Sequence, residues 1–305
     1  MKAWNVLKTL KKLRDPKATL TSKQAALTLG LSALMFGSAG TAAHLGMDGA
    51  SPLAISSTRL TLGGLFLMGW VVLSQRSTAS LRSALHDRRT AYLALSLAFF
   101  QPAYFLSIQH AGVAHGTMVA IGGVTVFTAL AGAFMGHKVT RIWVIATSMC
   151  LIGLGLISFK DASSGDYSGI IFGVIAGIAG AGFTLSTKSI LDDHIPPIPP
   201  TSIGLTISGV VVGIATRPSF DFLTTTHGVL AAIYWGIVVT SFGNILWARG
   251  LGNLAPGPTT TLMLAEPAFA TLLGVVVLNE ALTGQATFGI VLLFAGLALQ
   301  GIKGK

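Results

Sequence analysis

Between Thr90 and His137 the chain reads TAYLALSLAFFQPAYFLSIQHAGVAHGTMVAIGGVTVFTALAGAFMGH, with no Asp, Glu, Lys or Arg. A bilayer core about 30 Å thick is crossed by roughly 20 helical residues, each rising about 1.5 Å. This one stretch therefore predicts two membrane spans, divided near Gly112. Charge-free runs of similar character recur at 24–47, 60–75, 142–159, 167–187, 194–216, 222–248, 250–265 and 281–302. Charged residues make up only 10% of the 305 residues and 52% are apolar. A soluble domain carries roughly 25% charge to keep its surface wet, so most of this surface must face lipid.

The runs divide into ten predicted spans: 24–46, 52–74, 90–109, 115–137, 141–159, 168–188, 200–216, 228–249, 255–278 and 282–302. Breaks fall at Pro52, at the loop from Arg76 to Arg89, at Gly112, at the polar run Lys160 to Tyr167, and at Pro196 to Pro200. Pro256 and Pro258 open the ninth helix, where a missing amide proton matters little. Continuous apolar runs exclude a β-barrel, whose strands are short and alternating. The expected fold is an all-α membrane protein.

Ten spans place both termini on one side. All but three of the 20 Lys and Arg residues collect there, the exceptions being Lys160 and Arg217 on the opposite side and Arg59 within a span. Basic loops stay cytoplasmic, so both termini are expected inside, as in a multi-pass inner (plasma) membrane protein. The net charge of +10 is dispersed along one membrane face, which suits anionic lipid and argues against nucleic acid. Three segments follow: a basic cytoplasmic tail at 1–23, and two five-helix repeats at 24–160 and 168–302. At an offset of 142, Thr117 falls on Thr259, Phe127 on Phe269, Leu130 on Leu272 and Gly132 on Gly274. An odd number of spans per repeat forces the second copy to be inverted, the plan by which many transporters build two gates around one midplane site.

Glu266 is the one carboxylate well inside a predicted span, about ten residues, or roughly 15 Å, from the start of the ninth helix. An ionisable group at the midplane costs on the order of 3 kcal/mol, which calls for a wet cavity or a partner. Pro267 beside it removes a helical hydrogen bond to Met263 and marks a kink. Glu266 reads either as a substrate-binding or proton-coupling group, or as a structural carboxylate tying helices together. Arg59 lies about 10 Å below the outer end of the second helix. It either pairs with Glu266 in one state or snorkels to the surface. Gln101, Tyr104, Thr117, Trp235, Asn244 and Trp247 are the polar and aromatic residues that a largely apolar pocket would use to orient a solute. Tyr and Trp also form interfacial belts, so a structural role stays open for each.

Cys150 is the single cysteine, so no disulfide framework and no cysteine metal site is expected. No metal-spaced His and carboxylate cluster and no phosphate-cradling Gly-Lys-Ser/Thr loop appears, so neither a metal, a cofactor nor ATP drive is expected. Gly250 to Ala255 matches a dinucleotide-binding pattern, but it joins two membrane helices where that motif needs a strand before it.

Several stretches resemble the EamA-type, ten-helix family of the drug/metabolite transporter superfamily. They are Leu254-Ala255-Pro256, Leu262-Met263-Leu264-Ala265-Glu266-Pro267, Leu278-Asn279-Glu280 and Gly296 in the second half. In the first half they are Ser57-Thr58-Arg59-Leu60, Tyr104 to Gln109, and Phe127-Thr128-Ala129-Leu130. The Tyr104 to Gln109 run and Thr261 to Ala268 are similar to the threonine/homoserine exporters of that family. Where relatives often carry a proline in helix four and an acidic residue at its end, this chain has Thr125 and His137-Lys138. The resemblance implies export of amino acids or similar small metabolites by a secondary transporter, without ATP hydrolysis. The other function classes open to the sequence are an intramembrane lipid-modifying enzyme and a non-transporting membrane subunit.

Overall fold

The computed structural model describes residues 20–46, 50–75, 77–134, 136, 140–158, 167–279 and 281–303. The basic tail through residue 19, Lys138 and Lys160 lie outside the described residues. Among the described residues, nine helices are long and apolar enough to cross a bilayer and one further apolar helix is shorter. In chain order these are α1 (Ser22–Gly46), α2 (Pro52–Gln75), α3 (Arg88–Gly112), α4 (His115–Phe134) and the shorter α5 (Arg141–Ser158). The second set is α6 (Tyr167–Asp192), α7 (Ile198–Thr216), α8 (Thr226–Asn253), α9 (Pro256–Leu278) and α10 (Gly284–Lys303). Large apolar side chains such as Leu73, Phe99, Ile152, Ile171, Val276 and Phe288 stand exposed around the outside, as a lipid-facing belt requires.

The stretch 90–137 folds as its glycines allow. Helix runs on both sides of Gly112, whose φ of 80° is a left-handed conformation that glycine adopts without a Cβ penalty. The chain doubles back there, and Gly116 comes so close to α3 that a Cβ would lie 2.6 Å from the Ile108 nitrogen. Residues 138–139 fall outside the described set, so the end of the fourth span is seen only to Phe134.

Two irregularities interrupt the spans. The ninth helix is interrupted at Leu264, one turn before Pro267, so Pro267 falls in the first turn of a second half-helix, Ala265–Leu278. In α8 the segment Tyr234–Phe242 is a π-helix, a widened coil that sequence periodicity does not announce.

Equivalent helices of the two repeats pack on each other in reciprocal fashion. A Cβ at Gly64 of α2 would lie 2.6 Å from the Thr206 nitrogen and 2.7 Å from the Ser202 oxygen of α7. One at Gly209 of α7 would lie 2.6 Å from the Thr61 nitrogen and 2.9 Å from the Ser57 oxygen of α2. Ser57 also donates to the Gly209 carbonyl at 2.8 Å. These residues stand 145 apart: Pro52 with Pro197, Ser57 with Ser202, Thr61 with Thr206, Gly64 with Gly209. The α5–α10 contact repeats the arrangement at an offset of 143. A Cβ at Gly153 would meet the Gly289 oxygen at 2.6 Å, and one at Gly296 the Ala146 oxygen at 2.7 Å. In both contacts rising numbers on one helix meet falling numbers on the other, so equivalent helices run antiparallel. The fold is two five-helix repeats of opposite orientation, related by a pseudo-two-fold through the α2–α7 and α5–α10 seams. Gly301 at the end of α10 faces Ala26 at the start of α1, which puts both ends of the helical body on one face.

Candidate functional site

Glu266 lies in the first turn of the second half-helix of α9. Its backbone is pressed against α1, since a Cβ at Gly37 would lie 2.7 Å from the Glu266 oxygen and 3.0 Å from the Ala270 nitrogen. The repeats make plain what is unusual about it. Its equivalent 142 residues earlier is Val124, whose side chain packs on Gly180 where the Glu266 backbone packs on Gly37. Arg59 is equally one-sided: its equivalent in α7 is Gly204, and Leu93 fills the space there. These two charges are thus substitutions at pseudo-symmetric positions where the other repeat is apolar or small.

Glu266 and Arg59 lie deep in the bundle within electrostatic reach of each other, and Tyr104 lies within reach of both. Glu266 and Arg59 both keep some accessible surface. Among the described residues neither makes a hydrogen bond, nor an ion pair within 4.0 Å. The direct pair that the sequence offers for one state is therefore absent in this conformation among the described residues. The Tyr104 hydroxyl is 3.3 Å from that of Thr117, linking α3 to α4, and its ring stacks on Phe100 at 5.8 Å. Gln101, one turn away on α3, accepts a 3.2 Å hydrogen bond from Ser56 of α2.

The other residues named from sequence lie elsewhere in the bundle. Trp247 stacks on Phe183 at 4.7 Å within an apolar cluster that includes Leu262, Ala265 and Ala268. Asn244 donates to the Thr240 carbonyl at 2.7 Å on its own helix. Trp235 packs with Ala54, Ile55, Phe222 and Ala232, apart from the Glu266 group. Yet Gln101 and Tyr104 stand 143 residues before Asn244 and Trp247, an amide with an amide and an aromatic with an aromatic. These two pairs are matched between the repeats, whereas Glu266 and Arg59 are not.

A groove of about 450 Å³ lies between α1, α8 and the second half of α9, at the face away from the chain ends. Leu45, Leu230, Leu273 and Val277 form its apolar walls, with Thr41 and His227 beside them. Ser38 and Tyr234 line its deep end, their hydroxyls hydrogen-bonded at 2.7 Å. Glu266, Ala270, Leu273 and Val277 recur at helical spacing on one face of α9, so Glu266 lies directly below the groove. Sequence reading missed every residue of this groove. The helical spacing of Leu273 and Val277 with Glu266 was the one available signal.

The model of the EamA-like transporter family matches this chain twice, over residues 23–159 and again over 167–301. The chain belongs to the EamA-like transporter family. Each match covers one five-helix repeat, the division seen in the packing. This EamA-like protein is 30% identical over 276 residues to the uncharacterized transporter YwfM of Bacillus subtilis strain 168, covering 88% of this chain and 90% of that one. It is 24% identical over 293 residues to an uncharacterized transporter of Archaeoglobus fulgidus, covering 90% and 96%. A protein of known crystal structure superposes with a TM-score of 0.77 at 18% identity, over 90% of this chain and 96% of that one, which bears on the fold alone. The chain is a multi-pass membrane transporter by family and fold.

Proposed function

We propose that this transporter is a secondary carrier that exports amino acids or similar zwitterionic metabolites across the inner membrane by alternating access, with both termini cytoplasmic. The observation that carries the reading is the disposition of Glu266 and Arg59. Opposite charges on different repeats lie within electrostatic reach of each other deep in the bundle, without a direct bond among the described residues. A solute with an ammonium and a carboxylate would satisfy both at once, the ammonium at Glu266 and the carboxylate at Arg59. Each charge would then be neutralised where desolvation is most costly. Tyr104 and Thr117 supply hydroxyls beside the charges, and Gln101 an amide one turn away, suited to orienting the solute. The inverted repeats supply two gates by the same geometry. The cytoplasmic placement of the termini rests on the concentration of Lys and Arg on their face.

Two couplings fit Glu266: it carries a proton when no substrate is bound, or it only binds substrate and the carrier equilibrates gradients. A lipid-modifying enzyme would need polar groups clustered at one interface, whereas these charges are few and deep. The test is counterflow in liposomes across a panel of neutral, cationic and anionic amino acids, with and without a pH gradient. Uptake of neutral zwitterions is the expected result. Stimulation by the gradient would assign the proton to Glu266, and exchange by cationic diamines but no zwitterion would remove Arg59 from the site.

A further inference from the structure

The two ends of the bundle, equivalent by the repeat symmetry, are in different states. Helix α6 is in contact with α3 and α4 over its whole length, from Gly169 against Ala111 through Gly177 against Gly123 to Ile190 beside Leu93. Its counterpart α1 follows α8 and α9 only part of the way, from Leu29 against Gly250 to Gly37 against Glu266. Beyond Ser38, Ala39 and Ala42 still pack in the cluster of Ala54, Ile55, Ala232 and Trp235, while the groove opens between α1, the start of α8, and Leu273 and Val277 of α9. The equivalence of α1 and α6 is close: Gly30, Ala33, Gly37 and Thr41 stand 143 residues before Gly173, Ala176, Gly180 and Thr184.

The same offset identifies what occupies the groove's equivalent at the other face. Leu45 corresponds to Lys188, Leu230 to Asp87 and Ala232 to Arg89. Apolar positions at the open end are charged at the closed one, and the charges are joined. Arg89 is held to Asp87 at 2.8 Å, to Asp193 just past the end of α6 at 2.5 Å and to the Ser189 carbonyl of α6 at 3.1 Å. Lys188 donates to the Leu251 carbonyl of α8 at 3.2 Å and pairs with Asp192 at 3.1 Å. Three helices are thus tied at the face that bears the chain ends.

From this we infer that the structure is one of two alternate states, open away from the chain ends, and that Arg89 with Asp87 and Asp193 is the latch that keeps the other gate shut. In the second state the latch opens, α6 parts from α3 and α4 around Ala181, and α1 closes over Ser38. The inference builds on the transport reading, but its test reads conformation and needs no substrate.

Two symmetry-related reporters, Ser38→Cys and Ala181→Cys, are placed singly in a Cys150→Ser background and reacted with a maleimide in detergent. With the latch intact Ser38→Cys, which lines the groove and keeps accessible surface, reacts and Ala181→Cys, buried here, is protected. Arg89→Gln or Asp193→Asn should slow the first and speed the second, each roughly tenfold, the change that follows from about 1.4 kcal/mol. A disulfide between Arg89→Cys and Asp193→Cys should hold the original pattern and release it on reduction. Reporters that ignore the latch variants, or that both become reactive together, would overturn the inference. If the reporters exchange reactivity while the panel shows no transport, the latch stands and the transport reading falls.

Discussion

Adding one methyl group at Gly64 tests the pseudo-two-fold seam on which the inverted architecture rests. A Cβ there would lie 2.6 Å from the Thr206 nitrogen and 2.7 Å from the Ser202 oxygen, backbone atoms that no rotamer change can move aside. Ordinary contact begins near 3.4 Å, so α2 and α7 must separate by most of an ångström. Overpacking of this kind costs about 1–3 kcal/mol, against which the better helix propensity of alanine returns about 1 kcal/mol. Gly64→Ala should therefore destabilise by up to about 2 kcal/mol, and Gly209→Ala, facing Thr61 and Ser57 in the same way, should match it. The double variant should lose clearly less than the sum, because helices already separated by the first methyl accept the second. Gly69→Ala, with nothing within 4 Å, is the control and should be neutral or stabilising. Reversible unfolding of the purified protein in mixed micelles reads all four. Equal stability of Gly64→Ala and Gly69→Ala, or strict additivity of the seam pair, would refute the reciprocal packing.

Three further outcomes follow. Glu266→Gln and Arg59→Met should each destabilise by leaving the other charge uncompensated, with a coupling below about 4 kcal/mol, the value for a 4 Å pair at an effective dielectric of 20. The double variant should recover part of the loss, as measured by a double-mutant cycle. Tyr104→Phe should remove only the long 3.3 Å bond to Thr117 and lower stability by about 1 kcal/mol, so a larger loss of substrate affinity would place the hydroxyl at the solute. Arg89 holds Asp87 below the ordinary carboxylate range through their hydrogen bonds. The stability from that pair is fully present above about pH 4 and declines as pH falls through the lowered value. A thermal melt series toward acid should lose this component in the parent protein and lack it in Arg89→Gln.

The sequence disclosed the spans because lipid leaves so few options: an uncharged run the length of 90–137 has no soluble explanation. Gly112 marked its turn for the same reason that the chain needed it there. The repeats were only faintly visible at the single offset of 142, because the offset itself drifts. It is 145 between α2 and α7 and 143 across the α5–α10 seam, as loop lengths differ between halves. Matches such as Pro52 with Pro197 or Gly30 with Gly173 become visible only once contacts fix the register. Glu266 and Arg59 were legible as buried charges, and their closeness follows from helix depth. The groove was not, because Leu45, Leu230 and Val277 look like any lipid-facing residues until the helices around them part. The π-helical segment of α8 was equally hidden, since residues 234–242 carry no proline and no formal charge.

The most direct measurement of the account is exchange of a labelled neutral amino acid by reconstituted protein, compared among the parent chain, Glu266→Gln and Arg59→Gln, all verified as folded. The account predicts saturable exchange by the parent chain and at least a tenfold loss in each variant. Undiminished exchange in both variants would contradict the assignment of the two charges to the substrate site.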